Sequence, residues 1–567
     1  MIRLKCLLAG CLFSQMLLAQ MNIFGTASLE YGDSENDFNF SEHRIDLNGN
    51  WNKWTSWIQF EYGKPPQLGR ESVGLRKYRI DYVKDNFSFK VGDLYEYWGR
   101  GLMLNMVDDQ SIDLDTGIRG GQIQWSNNII SAELLGGNQT IWRLTNQVQD
   151  FDDRIPNYKV DHQMFGGRIV LNREQWQGSV QFLKSNENHP NPAKSINEDV
   201  SHMMFGTTIQ YFADNLDLNV DYVKKDKSGF GLYSNINLFV AEWSLGFTYK
   251  NYSFDSRSPL DRWDFVNNTG GALTIQQMPT GFKTHNTSLL GKITHVIDFN
   301  DEVGTYLTVS GPVFTDALFT FEWAKSSRHN EWYTDADWIW QSGREVFLPS
   351  DNSLMNPFQE FYGELNGYAM NQQLYYVIGL AKTQDVLDIY LNSEIDNHKS
   401  FSYEFLNAIT IPTHFTYRFD KSFSIDILFE YQEKKKGVNT FSSLPSMNQD
   451  MFTSLYLKDK QINRFLSIGI AKSPKWSVSL SVDYADTEER AVIEQERQKN
   501  ALENALDSIW DTSLTWGNIE MVLNLNQNNR LSISYGSQRG GVYCSNGVCR
   551  YIQPFENGIK FGFVSTF

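Results

Sequence analysis

The residues able to do chemistry are densest between Val91 and Gly121. Asp93, Glu96, Arg100, Asp108, Asp113, Asp115 and Arg119 fall in that stretch, among glycines at 92, 99, 101, 117, 120 and 121. Glycines at 99 and 101 let a backbone turn sharply or approach another surface. Two arginines among five carboxylates favour ion pairing. A phosphate cradle is the wrong reading, because no Gly-Lys-Ser/Thr follows and no helix opens. Catalytic patterns are missing elsewhere too. The nine histidines are scattered, with no His-Glu-x-x-His and no Gly-x-Ser-x-Gly. The chain is therefore expected to be no enzyme and to carry no cofactor, with a triad assembled from separate strands as the open exception. The chemistry left to this segment is a constriction: a connection folded inward and held by its ion pairs, against the alternative of an outward loop with surface salt bridges. Alanine at both Arg100 and Arg119 is expected to widen the passage.

Metal chemistry finds little support. Asp150, Asp152 and Asp153, and separately Asp335 and Asp337, lack the spacing of a calcium loop and read as solvated carboxylates. Trp332, Tyr333, Trp338 and Trp340 make an aromatic-rich loop, suited to packing or membrane-surface contact and alternatively to stacking on carbohydrate. Cys544 and Cys549 flank Ser545-Asn546-Gly547-Val548. Across such a turn they read as a disulfide in an oxidising compartment, with a free thiol pair or a metal site as alternatives. Cys6 and Cys11 fall in a leader. Met1-Ile2-Arg3-Leu4-Lys5 precedes an apolar stretch to Leu18 and then Ala19, so residues 1–19 read as a signal peptide and 20–567 as one domain. Leu8-Ala9-Gly10-Cys11 offers a lipidation alternative at Cys11.

The elements that must position these residues are strands. Trp476, Val478, Leu480, Val482 and Tyr484 alternate with Ser477, Ser479, Ser481 and Asp483. Leu216–Tyr222, Phe423–Tyr431 and Ile519–Leu525 repeat the pattern. Aromatics stand at strand ends, as Trp476 and Tyr484 do. Tight polar turns (Asp85-Asn86, Asn127-Asn128, Asp214-Asn215, Asn528-Asn529) alternate with long polar loops near 33–41, 64–74, 138–161, 252–285, 326–357 and 488–511. Within the last, Leu502, Ala505, Leu506 and Ile509 have helical spacing. These features predict an all-β antiparallel up-and-down transmembrane barrel with short periplasmic turns and long extracellular loops. At roughly 21 residues per strand with its connections, the length gives about 26 strands, within a range of 24–28. Gly311-Pro312 and Pro412 leave two regions ambiguous between one strand and two. No plug-like segment is expected before the first strand, Asn22–Tyr31.

Composition narrows the partners. Lys+Arg is 50 against Asp+Glu 67, a formal net charge of −17, which argues against nucleic acid and permits cation attraction into a channel. No run of about 20 apolar residues follows the leader, so a helical membrane protein is excluded.

The pattern Gly92-Asp93-x-Tyr95-Glu96, then Gly99-Arg100-Gly101-Leu102, then Ile112-Asp113 and Arg119-Gly120-Gly121 resembles an uncharacterised family of large outer-membrane barrels of Gram-negative bacteria. The final strand, with Phe561, Phe563 and the terminal Phe567, resembles the closing strand read by the outer-membrane assembly machinery. These likenesses imply the bacterial outer membrane, its lipid and that machinery as surroundings, and no reaction. Two functions stay open: a porin-like conduit for small polar solutes constricted by the 95–119 connection, or a non-enzymatic scaffold whose loops bind surface or periplasmic proteins.

Overall fold

The computed structural model describes residues 21–567 except 36–37, 144–153, 192–195, 227–228, 255–271, 396–397, 444–449, 487–502, 504–513 and 546–547. The proposed leader, the Asp150–Asp153 cluster and most of the 502–509 helix lie outside the described residues. A single antiparallel sheet of 24 strands closes on itself, from Asn22–Ser34 to Phe555–Thr566. Each strand pairs with its barrel neighbours, and closure runs from Thr26 opposite Thr566 to Ser34 opposite Gly558. The count is two below the figure from chain length. Two internal connections, 95–117 and 272–300, consume residues without adding strands to the wall. The strands between 374 and 472 are also twice the length needed to cross a membrane, at 21 to 23 residues.

The two proline regions resolve differently. Gly311-Pro312 sits in one strand, Asp301–Phe314, whose register slips between Pro312 and Phe314. Pro412 lies inside the single strand His398–Arg418, and its pairing with the neighbouring strand is interrupted at Gly379 and Leu380. Both fit a residue that has no N–H to give the ladder.

The two rims differ. One carries tight turns whose central residues adopt positive φ, at Asn52, Asp85, Glu174, Ala241 and Asn371. Both described chain ends lie at this rim. The opposite rim carries the long connections. Alternation sorts the side chains. Leu134, Phe165, Ile169, Val180, Phe205 and Ile209 point outward and stay exposed. Their neighbours Glu133, Met164, Gln181, Met204 and Thr208 point inward and are buried. Aromatic pairs stand at the tight-turn end of the outer surface, with Trp54 against Tyr82 and Trp176 against Tyr211, both at 4.5 Å. Further along, Phe165 meets Phe182 and Trp323 meets Phe361. Beyond those, the outward residues turn polar: Gln163, Asn186 and Asn188. From Trp176 to Lys184 the apolar run spans about 26 Å along the strand, or roughly 20 Å across a tilted wall.

Candidate functional site: two connections inside the barrel

Two of the long connections turn inward and fill the lumen. The first is the hairpin 95–117. Trp98, Leu102, Met103 and Leu104 are fully buried against inward-facing Leu135, Met164, Leu183, Met204 and Val223. The Trp98 indole donates to Glu133 at 3.2 Å, and Arg168 pairs with the same carboxylate at 2.7 Å. Gly166 leaves room for that indole, since a Cβ there would crowd it. Burying an apolar knob of this size in a matched pocket is a strong anchor, worth about 3–5 kcal/mol against truncation to alanine.

The second connection, 272–300, crosses the lumen as a strap. The outward polar loop expected near 252–285 covers part of it; the strap lies inside because it carries its own apolar residues. Leu290 and Ile293 pack on Tyr362, Ala381, Leu406 and Ala408 of the wall, and Phe282 and Ile297 on Ala324 and Phe358. Its lysines and histidines meet wall carboxylates. Lys283 reaches Glu322 at 3.3 Å, and His285 reaches Glu360 at 2.7 Å. Lys292 pairs with Asp483, and His295 lies 2.9 Å from Asp385 and 3.6 Å from Glu302. Glu430 accepts the backbone N–H groups of Ser288 and Leu289, both at 2.7 Å, with one oxygen each. Burial pushes Lys292 down, and Asp483 opposes it. Burial alone would also lower His295, but Asp385 and Glu302 outweigh it and its pKa is raised.

The hairpin and strap meet near the middle. Asn105 N–H donates to the Ile275 carbonyl at 2.7 Å, and the Gln276 amide donates to the Leu102 carbonyl at 2.6 Å. Gly101 makes this approach possible: its φ is +87°, and a Cβ would fall on the Gln277 carbonyl oxygen.

The residues singled out in the sequence divide among several partners. Glu96 pairs with Lys90 at 2.8 Å. Asp108 and Asp115 hold Lys77, and Asp115 also lies 3.7 Å from Arg76. Burial pushes Asp113 up to about 6, against the pull of Arg550 and Arg76. Arg100 faces Asp221 at a long 3.8 Å. Arg119 grips Asp93 through two nitrogens, at 3.0 and 3.1 Å, on the outer face of the wall. Sequence reasoning missed Lys77, Arg76, Glu133, Asp221 and the whole strap. Its signal was the 46-residue gap between strands ending at Phe254 and starting at Asp301, rich in apolar residues and cations. Asp335 accepts the N–H groups of Asp337 and Ile339, which accounts for its carboxylate as a turn former. Among the described residues no group of three potential metal ligands is present. Cys549 is disulfide-bonded, with Cys544 directly opposite it in a small hairpin.

A family model described as a family of unknown function, DUF6029, matches residues 27–314 and 388–567. The chain belongs to this family. No curated protein matches in sequence. Among solved structures, a chain titled copper transporter OprC is 9% identical, with a TM-score of 0.46, covering 97% of this chain and 80% of its own. The siderophore receptor PirA from Pseudomonas aeruginosa is 7% identical, with a TM-score of 0.43 and coverages of 96% and 80%. Wzi from Escherichia coli, titled a carbohydrate-binding β-barrel of capsule assembly, is 9% identical, with a TM-score of 0.32 and coverages of 66% and 82%. Nothing about the solute or partner of this DUF6029 member follows from likeness at that level.

Proposed function

We propose that this protein is an integral outer-membrane barrel acting as a gated conduit for small polar solutes. In the resting state it is closed by the hairpin and the strap. The apolar belt between aromatic girdles supports membrane insertion, with the tight turns on the periplasmic side. The observation carrying the gate is the unlike seating of the two connections. Both dock through apolar clusters and ion pairs, but the strap sets two histidines, His285 and His295, beside Lys283 and Lys292 against wall carboxylates, whereas the hairpin offers its own carboxylates to wall Lys77 and Lys90. Ionic contacts respond to pH, salt and charged ligands far more than an apolar core does. The hairpin is then the fixed lining and the strap the moving part. No enzymatic step is assigned.

The test is single-channel conductance in planar bilayers, comparing the wild type with Lys292→Ala/His295→Ala. Small or absent steps in the wild type and large, cation-preferring steps in the variant are expected. A correctly folded variant that stays silent refutes the gate. The scaffold reading would then stand, favoured by one feature: the strands Leu374–Ile395 to Asp450–Lys472 rise well beyond the apolar belt as a wall open to partners.

A further inference from the structure

The wall has a gap. The strand Phe87–Leu94 pairs with Ser72–Lys84 only between Arg79 and Lys84, so, among the described residues, 72–78 have no ladder partner on that side. The strand Ile118–Ser126 ends its pairing with Ile130–Arg143 at Arg119 opposite Asn138, so residues 139–143 are likewise bare on that edge. Between the two bare edges lies an opening, floored and roofed by side chains and loops. The floor is the Asp93–Arg119 pair, which replaces the missing ladder: Asp93 accepts the Tyr78 N–H at 2.7 Å, and Arg119 donates to the Arg76 carbonyl at 2.8 Å. The roof is the loop 64–71, where Gly69 N–H bonds to the Arg154 carbonyl and Arg70 lies 3.7 Å over the Trp142 ring.

A cavity of about 510 Å³ occupies this opening. It is lined both by outward residues, such as Arg119 and Thr140, and by lumen residues, such as Glu61 and Asp113. It shares Glu61, Arg70, Arg76 and Asp113 with a second cavity of about 510 Å³ inside the barrel, so the two adjoin. Two features point to what enters. Gln139 is only 7% exposed and lines the cavity, yet among the described residues neither its amide oxygen nor its nitrogen has a hydrogen-bond partner. A buried amide without partners calls for a polar ligand or water. Outside, the jamb on the other side is apolar: Val73 and Leu75 are 68% and 56% exposed on the outer face.

We propose that this opening is a lateral port that takes the polar head of an outer-leaflet lipid. The apolar tail stays against Val73 and Leu75. The head, with anionic oxygens, enters toward Gln139 and the Arg70 guanidinium, which pairs with no carboxylate among the described residues. Arg70 gives one N–H to the Pro156 carbonyl at 3.3 Å and keeps further donors, which suit phosphate or carboxylate oxygens. A water-soluble solute would have no use for the apolar jamb. The port rests on the membrane reading above and is independent of the gate.

The test is photo-crosslinking in bilayers of phosphatidylethanolamine with phosphatidylglycerol. A benzophenone amino acid replaces Gln139 in the port, Asn366 in the lumen across the barrel, or Ile169 on the lipid-facing wall. Ser72 serves in place of Gln139 if that variant does not fold. The port position should label lipid nearly as well as Ile169, and Asn366 should not label. Arg70→Ala should cut port labelling roughly tenfold, as losing one charge-assisted hydrogen bond predicts, and leave Ile169 unchanged. Port labelling no stronger than at Asn366, with Ile169 labelled, overturns the port and keeps the membrane reading. Silence at Ile169 overturns both.

Discussion

Replacing Glu430 by glutamine should loosen the strap and leave the barrel intact. The Glu430 side chain is buried, and each carboxylate oxygen accepts one backbone N–H, from Ser288 and Leu289. Glutamine keeps one acceptor and turns a donor toward the other N–H. One charge-assisted bond is lost and the other becomes neutral, a cost of about 2 kcal/mol. The strand ladder does not change, since Glu430 pairs with Pro412 and Phe465 through its backbone. The loss therefore falls on local opening of the strap. Hydrogen exchange followed residue by residue is the direct assay. Protection at Ser288 and Leu289 should fall roughly 30-fold, with amides of Phe423–Ser443 unaffected. Unchanged protection at 288–289 would refute the reasoning. So would equal loss along the wall, because the strap and barrel would then open as one unit.

Other consequences follow from the same contacts. Asp113 is raised from the ordinary 3.8 to about 6, so the folded state binds its proton more tightly than the unfolded chain. Its stabilising contribution is complete below about 4 and disappears as pH rises through about 6. Asp113→Asn, tolerated at the φ of +47°, should remove that dependence and make the hairpin tip more protease-resistant at pH 7–8. His295 is raised above 6.5, so its contribution is complete below 6.5 and fades as pH rises through the higher folded value. Conductance should accordingly increase toward alkaline pH, and a flat profile would contradict this. Gly101→Ala forces a methyl onto the Gln277 carbonyl at positive φ, costing about 1–3 kcal/mol. Exchange at Asn105 should rise in that variant while Trp98 stays protected.

The barrel was legible because its signal is repeated in every strand: period-2 alternation, aromatic ends and alternating turn lengths. The strand number was less so, because dividing by an average strand cannot see 21-to-23-residue strands or connections folded inward. The 95–119 segment stood out through its glycines and charges. Its partners did not, because Glu133, Asp221 and Lys77 are ordinary inward residues of other strands, and only closure of the sheet brings them near. The strap was missed for a sharper reason. Its apolar residues are spread without the alternation of a strand, and Lys292 or His295 acquires meaning only opposite Asp483 or Asp385, which are 191 and 90 residues away.

Arg100 and Arg119 show most directly what pairing by sequence cannot resolve. Read together, they form one charge set whose removal opens the passage. In the fold they stand on opposite faces of the wall. Ile118 is buried in the lumen core and Ile123 exposed outside, so Arg119, one residue from the first and four from the second, faces outward. Arg119→Ala should therefore strip the Arg76 carbonyl and Asp93 of a donor, weakening the floor of the gap by about 1–2 kcal/mol, and leave conductance unchanged. Arg100 does face the lumen, but its ion pair is long and the side chain is 41% exposed. Asp221 keeps the Thr208 hydroxyl at 2.6 Å and the Asn219 amide without it. Arg100→Ala should cost under about 1 kcal/mol and shift conductance little. The double variant is then expected to behave like the sum of two small effects on sites that do not touch. A large new conductance from Arg119→Ala alone would refute its outward placement, and with it the account of how this wall is sealed.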